Sequence, residues 1–402
     1  MAQARTFSTA PEVQAPAEKL GPADALRQTD RQNDGERNQN REPKEGEQKR
    51  GESTENGATL NLLVVSDMTR SKPALNAVEA SLTAAGREEI RDGRLSREGL
   101  DKLLTRARET DSDSIVVMRD GKVLAKWFSD GEEKKLLAYS VTKSVANLAV
   151  GQLVESGKLN LDQHVSDFFA EWKNGPKQDI TVRELMNHTS GLPFHAKEIS
   201  LRAALDSELL AKPGSAFNYS SAAVDVLSGI VEKISGEPLD RYAAEHIFKP
   251  LGITDFNWNE DKEGHAGGGS GLWAKATDLA KIGQLMANGG SWGDRQIVSA
   301  EWIAQSTRPS QTKNSDCGLL WWLEDPHYNT DQGGNRNYVG REGFSARGAR
   351  GQYVTVYPSE NLVAVRQIDP ARYKGENDEF SDFSQVVKEL VPRGTLYVSH
   401  LH

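Results

Sequence analysis

A single cysteine, Cys317, stands in 402 residues, so neither an intramolecular disulfide nor a multi-cysteine metal site can form. Histidines do not make up the deficit. His188, His195, His246 and His265 lie far apart with no metal-ligand spacing, and each reads as a turn or surface residue; no metal or organic cofactor is expected. No apolar run is long enough to cross a bilayer, and the N-terminus has no apolar h-region after its first basic residue. As written, the chain lacks an export signal and is expected in the cytoplasm, or outside it if a native signal has been removed. Positive charge is also in deficit: 49 Lys and Arg against 58 Asp and Glu leave a formal net charge of −9, which argues against nucleic acid or anionic membrane as a partner.

Aliphatic and aromatic side chains are missing altogether from Arg27 to Gly57. Such a segment cannot bury enough apolar surface to offset its ordering entropy, so residues 1–58 are expected to be a disordered polar tail of mixed charge. Residues 59–402 are long enough to form a catalytic domain with a sizeable core.

Within that domain, Leu60 to Val65 reads equally as a short strand or a tether, and a charged helical stretch follows over roughly Ala74 to Arg108. Ser114–Met118 and Lys122–Phe128 flank Arg119-Asp120-Gly121, a strand, tight turn and strand. Helices are expected over about 16 residues after Ser140, from Asp179, over Ser221–Ser235 with Gly236 as C-cap, over Thr277–Asn288, and over Ser381–Leu390. Gln352–Tyr357 and Leu362–Ile368 alternate as paired strands around a turn. Strands at both ends with helices between them predict an α+β fold, one antiparallel sheet closed by the two ends and carrying a mostly helical insertion.

The chemistry is concentrated at Ser140-Val141-Thr142-Lys143. Positions i and i+3 share a helix face, so a neutral Lys143 amine could take the Ser140 proton during attack on a carbonyl. That requires lowering an amine from ~10.4 by roughly 2 to 3 units through desolvation or a nearby cation. The spacing alone is weak, since a chain of this size should hold about one chance copy. Ser310-Gln311-Thr312-Lys313 is such a copy: it follows Pro309, is flanked by polar residues and reads as a surface loop. The first copy instead leads into Val145, Leu148, Val150 and Leu153, a buried helix. Gly267 to Gly271 lacks the following Lys of a phosphate cradle and the spacing of a nucleophile elbow. Among the tryptophans, Trp273 and Trp321 are candidate pocket walls.

Tyr139-Ser140-Val141-Thr142-Lys143-Ser144, His188-Thr189-Ser190-Gly191-Leu192, Lys212 to Ser221 and Gly268-Gly269-Ser270-Gly271-Leu272 occur in an order that resembles the β-lactamase-related serine hydrolases. That group includes class C β-lactamases, D-Ala-D-Ala carboxypeptidases, family VIII esterases and 6-aminohexanoate-dimer hydrolases. The resemblance covers about residues 110 to 370 and implies a β-lactamase/penicillin-binding-like fold. It implies Ser140 as nucleophile, Lys143 as its partner and Tyr219 as the catalytic tyrosine. Lys143 is favoured as base and Tyr219 as the group that returns a proton to the leaving group, although the sequence leaves the two roles interchangeable. The backbone N–H groups of Ser140 and Ala349 are the implied oxyanion hole.

Two departures from the family pattern bear on substrate. Ser221 stands where the family often carries Asn, which implies weaker or differently placed recognition of a substrate amide. Ala346-Arg347-Gly348 matches the family's third element without its basic first position, so a substrate carboxylate needs Arg347 or Arg350, or is absent from the preferred substrate. Small Gly348 would let a substrate approach closely. The resemblance therefore points to a serine hydrolase acting on an ester, amide or peptide, with esterase or linear-amide hydrolase action favoured over β-lactamase or D-Ala-D-Ala carboxypeptidase action. The alternative of a different class is a non-catalytic binding or regulatory module with the tail as its interaction arm. Three catalytic-type polar residues together argue against it.

Overall fold

Asp120 and Gly121 both adopt positive φ, +51° and +73°, the backbone a tight two-residue hairpin turn demands. They join β1 (Ser114–Arg119) to β2 (Lys122–Phe128) as the sequence predicts. This computed structural model describes residues 77–330 and 336–392; the expected tail and Leu60–Val65 lie outside the described residues. The charged stretch before the hairpin includes two helices, α1 (Ala84–Arg91) and α2 (Arg97–Glu109). Gly93 at φ +69° turns the chain between them, and Ser96 caps the second by accepting from the Gly99 N–H.

The remaining elements run β3 (Lys135–Leu137), α3 (Val141–Glu155), α4 (Val182–Met186), α5 (Leu201–Asp206), α6 (Ser221–Ser235), α7 (Leu239–Ala243), β4 (Asn257–Trp258), β5 (Leu272–Lys275), α8 (Ala276–Ala287), β6 (Ser291–Trp292), β7 (Arg295–Gln296), α9 (Ala300–Ser306), β8 (Trp322–Thr330), β9 (Arg336–Gly348), β10 (Gln352–Tyr357), β11 (Leu362–Gln367) and α10 (Phe383–Lys388). The main sheet has the order β2-β1-β11-β10-β9-β8, so β11 lies beside β1 and the two ends of the domain close one antiparallel sheet. Period-two alternation sorts its residues onto two faces. Val116, Met118, Val354, Val356, Val363 and Val365 belong to the large core that includes α3, α6 and α8. Ile115, Val117, Tyr353, Tyr357, Leu362 and Ala364 pack with α1, α2 and α10 on the other side.

Glycine sets the closest approach of α8 to this sheet: a Cβ at Gly283 would lie 2.6 Å from Val363 Cγ1. The β8–β9 hairpin is not foreseen in the sequence, because its first strand contains Asp325-Pro326 and few apolar residues. β8 is an edge strand, the position in a sheet where a residue without an N–H is tolerated. No helix of the described residues is long and apolar enough to cross a membrane.

Candidate active site

Tyr139 takes φ +48°, and this left-handed residue turns the chain sharply from β3 into α3. Thr142 Oγ1 fastens the turn by donating to the Tyr139 carbonyl at 2.6 Å and accepting from the Leu272 N–H at 3.2 Å. Ser140 occupies the N-cap but makes no side-chain cap bond, so its hydroxyl is left for other work. One turn later Lys143 lies in a helix buried on nearly every side.

The Lys143 amine meets three oxygens: Ser140 Oγ at 3.0 Å, Ser221 Oγ at 2.9 Å and the Gly269 carbonyl at 2.5 Å. Desolvation lowers its pKa to about 7, against the pull of the Asp225 carboxylate. A neutral amine has two N–H donors and one lone pair. The Gly269 carbonyl can only accept and Ser221 Oγ can accept as well, which leaves the lone pair for the Ser140 proton.

Tyr219 reaches the same place from the loop before α6. Its neighbours are pinned on both sides to His188: the Asn218 N–H donates to the His188 carbonyl at 2.8 Å, and the Ser220 N–H to His188 Nδ1 at 3.2 Å. The phenol ring stacks on Trp322 and Phe194, with centroids 5.6 and 5.7 Å away, and Lys143 Nζ stands 5.0 Å from its centre. Burial raises the phenol pKa well above its ordinary value, only partly offset by its hydrogen bond with Ser140, so it stays protonated at neutral pH. His188 is pushed down to about 3 by burial, then by Lys143, and is therefore neutral with its proton on Nε2.

The third wall is the glycine run. A Cβ at Gly268 would lie 2.3 Å from the Val224 carbonyl oxygen and one at Gly269 2.7 Å from Ser221 Cβ, so only glycine lets this loop lie against α6. The Gly269 N–H donates to Asp225 Oδ1 at 2.8 Å while its carbonyl faces Lys143. Burial raises the Asp225 pKa to about 6, opposed first by the Gly269 N–H and then by Lys143.

The fourth wall is the end of β9. A Cβ at Gly348 would lie 2.4 Å from the Ala138 carbonyl oxygen and 3.2 Å from Tyr139 Cβ, so the glycine brings the strand against the turn that carries Ser140. The close approach is to the chain's own backbone, where the sequence suggested room for a substrate. It sets the fully buried Ala349 beside the nucleophile turn. Arg347 faces the cavity with Nη2 2.5 Å from Glu324 Oε1. Arg350, at φ +64°, donates to the Pro370 carbonyl at 3.0 Å and lies over the rings of Tyr139 and Tyr373. Together Ser140, Lys143, His188, Tyr219, Trp321, Trp322 and Arg347 line one small cavity.

A family model described as beta-lactamase matches residues 100–368. The chain belongs to the β-lactamase family. A D-Ala-D-Ala carboxypeptidase-like protein of Escherichia coli O157:H7 is 26% identical over 250 residues, covering 46% of this chain and 57% of that protein. The chain thus spans little more than half the length of that curated relative. An octameric penicillin-binding protein homologue from Pyrococcus abyssi shares 20% identity at a TM-score of 0.54, over 73% of this chain and 79% of its own. A family VIII carboxylesterase shares 16% at a TM-score of 0.54, over 77% and 99%. At such identities these two structures establish the β-lactamase/penicillin-binding-like fold alone.

Against the pattern expected of a β-lactamase-family chain, the structure brings together Ser140, Lys143, Tyr219, Ser221, Arg347 and the Gly348-Ala349 backbone. Ser221 faces the lysine. Trp321 lines the cavity, whereas Trp273 bonds through Nε1 to Asn259 Oδ1 at 3.0 Å and is not among its lining residues. His188, expected in a turn or on the surface, is in a turn at φ +60° but is buried beside Tyr219. The second Ser-x-x-Lys copy is a loop with Lys313 exposed and Ser310 Oγ bonded to backbone carbonyls. Among the described residues, no cluster of three or more His, Cys, Asp or Glu is placed to hold a metal ion.

Sequence reasoning missed Asp225 and the Gly269 carbonyl. An aspartate inside Val224-Asp225-Val226-Leu227 was the available signal for the first, since a lone acid in an apolar helix must be compensated. Asp225→Asn removes the charge that holds Lys143 up. The amine should then lose its proton at lower pH, moving the acid limb of the kcat/KM profile below that of the parent enzyme. A pH series from 5 to 9 on both proteins checks this.

Proposed function

We propose that this β-lactamase-family serine hydrolase cleaves esters or linear amides through an acyl intermediate on Ser140. The observation that carries the reading is the desolvated Lys143 amine 3.0 Å from Ser140 Oγ, with its other two partners arranged so that the lone pair faces the hydroxyl. Lys143 takes the proton as Ser140 Oγ attacks the carbonyl carbon. The developing oxyanion is received by the backbone N–H groups of Ser140 and Ala349. Tyr219, kept protonated by its burial, supplies a proton to the leaving group, and the proton that Lys143 took from Ser140 replaces it, so that both side chains are back in their starting forms when the acyl-serine has formed. Water then cleaves the acyl-serine by the same steps in reverse order.

Esters and linear amides are favoured over penicillins and D-Ala-D-Ala peptides because both arginines expected to bind a substrate carboxylate are engaged. Arg347 is paired with Glu324, and Arg350 is bound to the Pro370 carbonyl. The curated relative's carboxypeptidase designation supports the second reading, peptide cleavage by the same acyl-serine route. An active-site-directed fluorophosphonate followed by peptide mass spectrometry tests the common core of both. The expected result is one adduct, on Ser140; no adduct on Ser140 across several such probes would favour a binding module instead.

A further inference from the structure

Glu324 and Arg347 stand on neighbouring strands. In the β8–β9 register Trp322 is opposite Ser345 and Glu324 opposite Gly343, so Ser345 and Arg347 follow Gly343 at two-residue steps on one face of β9. Glu324 leans along that face: its Oε1 accepts from the Ser345 hydroxyl and from Arg347 Nη2, the latter at 2.5 Å, and Arg347 Nε lies 3.4 Å from Ser345 Oγ. The pair is nearly dry, with side-chain exposures of 17% for Arg347 and 9% for Glu324. Arg347 nonetheless lines the cavity that holds Ser140, Lys143 and Tyr219.

We infer that Glu324 is a specificity-determining residue: its carboxylate occupies the Arg347 guanidinium beside Ser140 and so bars substrates that bring a carboxylate of their own to that point. The inference rests on the hydrolase reading above and narrows it to acyl groups uncharged where they meet Arg347. The physical reason is competition for one fork of donors. A guanidinium binds a carboxylate strongly when the geometry is good, and a nearly buried partner held by Ser345 is already in place with no ordering cost left to meet. An incoming carboxylate would have to displace Glu324 or lie beside it, and two carboxylates around one guanidinium leave a buried net negative charge. If Glu324 loses its charge while keeping its shape, Arg347 becomes an uncompensated cation facing the nucleophile, which is an anion site.

The test is Glu324→Gln, read as a ratio of kcat/KM on two matched aryl esters, 4-nitrophenyl butyrate and mono(4-nitrophenyl) glutarate, the second ending in a carboxylate. The parent enzyme should favour the neutral ester. In E324Q the glutarate-to-butyrate ratio should rise about 10- to 100-fold, the size expected of one new charge-assisted hydrogen bond to the substrate. In the double variant E324Q/R347Q it should fall back, because the guanidinium that receives the carboxylate is gone. Ser345→Ala removes only the hydroxyl that steadies Glu324; should E324Q fail to fold, it carries the same test with a smaller rise of about three- to tenfold. An unchanged ratio in the folded variant would overturn the inference, as would a rise that persists in E324Q/R347Q. Failure of the hydrolase reading is a separate outcome: neither ester would then be turned over by the parent enzyme, and no probe would label Ser140.

Discussion

Ser140→Ala is expected to lower kcat/KM for any ester the protein turns over by on the order of 10⁴- to 10⁶-fold, the loss that follows removal of a nucleophile that works as a unit with its base. The backbone N–H groups proposed as oxyanion donors and the cavity would remain, so a residue of substrate binding should survive with KM little changed. Stability should also survive. Ser140 sits at the N-cap of α3 but makes no cap bond, so the usual cost of about 1 kcal/mol for losing a capping hydroxyl does not apply. Steady-state kinetics and a melting curve on the same preparation separate the two effects. Full activity in a folded S140A protein would remove the nucleophile assignment.

Lys143→Met is the second large effect, about 10³-fold or more in kcat/KM. Methionine fills much of the lysine's volume in a fully buried helix but has neither a lone pair for the Ser140 proton nor donors for Ser221 and the Gly269 carbonyl. The pH dependence gives a sharper signature than the loss itself. With the amine at about 7, the active neutral form is lost as pH falls, so kcat/KM should drop roughly tenfold per unit below that point and flatten above it. Stability changes in the same direction. The unfolded chain holds this proton up to ~10.4, so between about 7 and ~10 it binds more protons than the folded chain, and Lys143's contribution to stability rises with pH across that window. In K143M both dependences should vanish, and denaturant melts at pH 6 and pH 9 compare the second directly.

How far the sequence carries the reader depends on how local each interaction is. The Asp120-Gly121 hairpin, the Ser140 helix and the Ser221–Ser235 helix ended by Gly236 are written in neighbouring residues and stand in the structure where the sequence places them. The pairing of Ser140 with Lys143 is equally local. The base's other partners are not: Ser221 and Gly269 lie 78 and 126 residues from Lys143, and a backbone carbonyl leaves no mark in a sequence. The β8–β9 hairpin escaped because an edge strand admits Pro326 and polar residues. Without that hairpin Glu324 could not be set beside Arg347, and the reason for doubting a substrate carboxylate rested on a missing basic residue alone. Tyr219 shows the opposite case. Its position was legible, but its protonation depends on Trp322, Phe194 and His188 closing around the ring, which only the folded chain supplies.

The central claim, that a neutral Lys143 amine removes the Ser140 proton, is tested most directly by the pH dependence of Ser140 acylation in single turnover, measured with excess enzyme over a chromogenic ester. The acylation rate should rise with pH through one inflection near 7, and that inflection should disappear in Lys143→Met. An acylation rate that ignores pH between 5 and 9 in the parent enzyme, or an inflection that persists without Lys143, would contradict it.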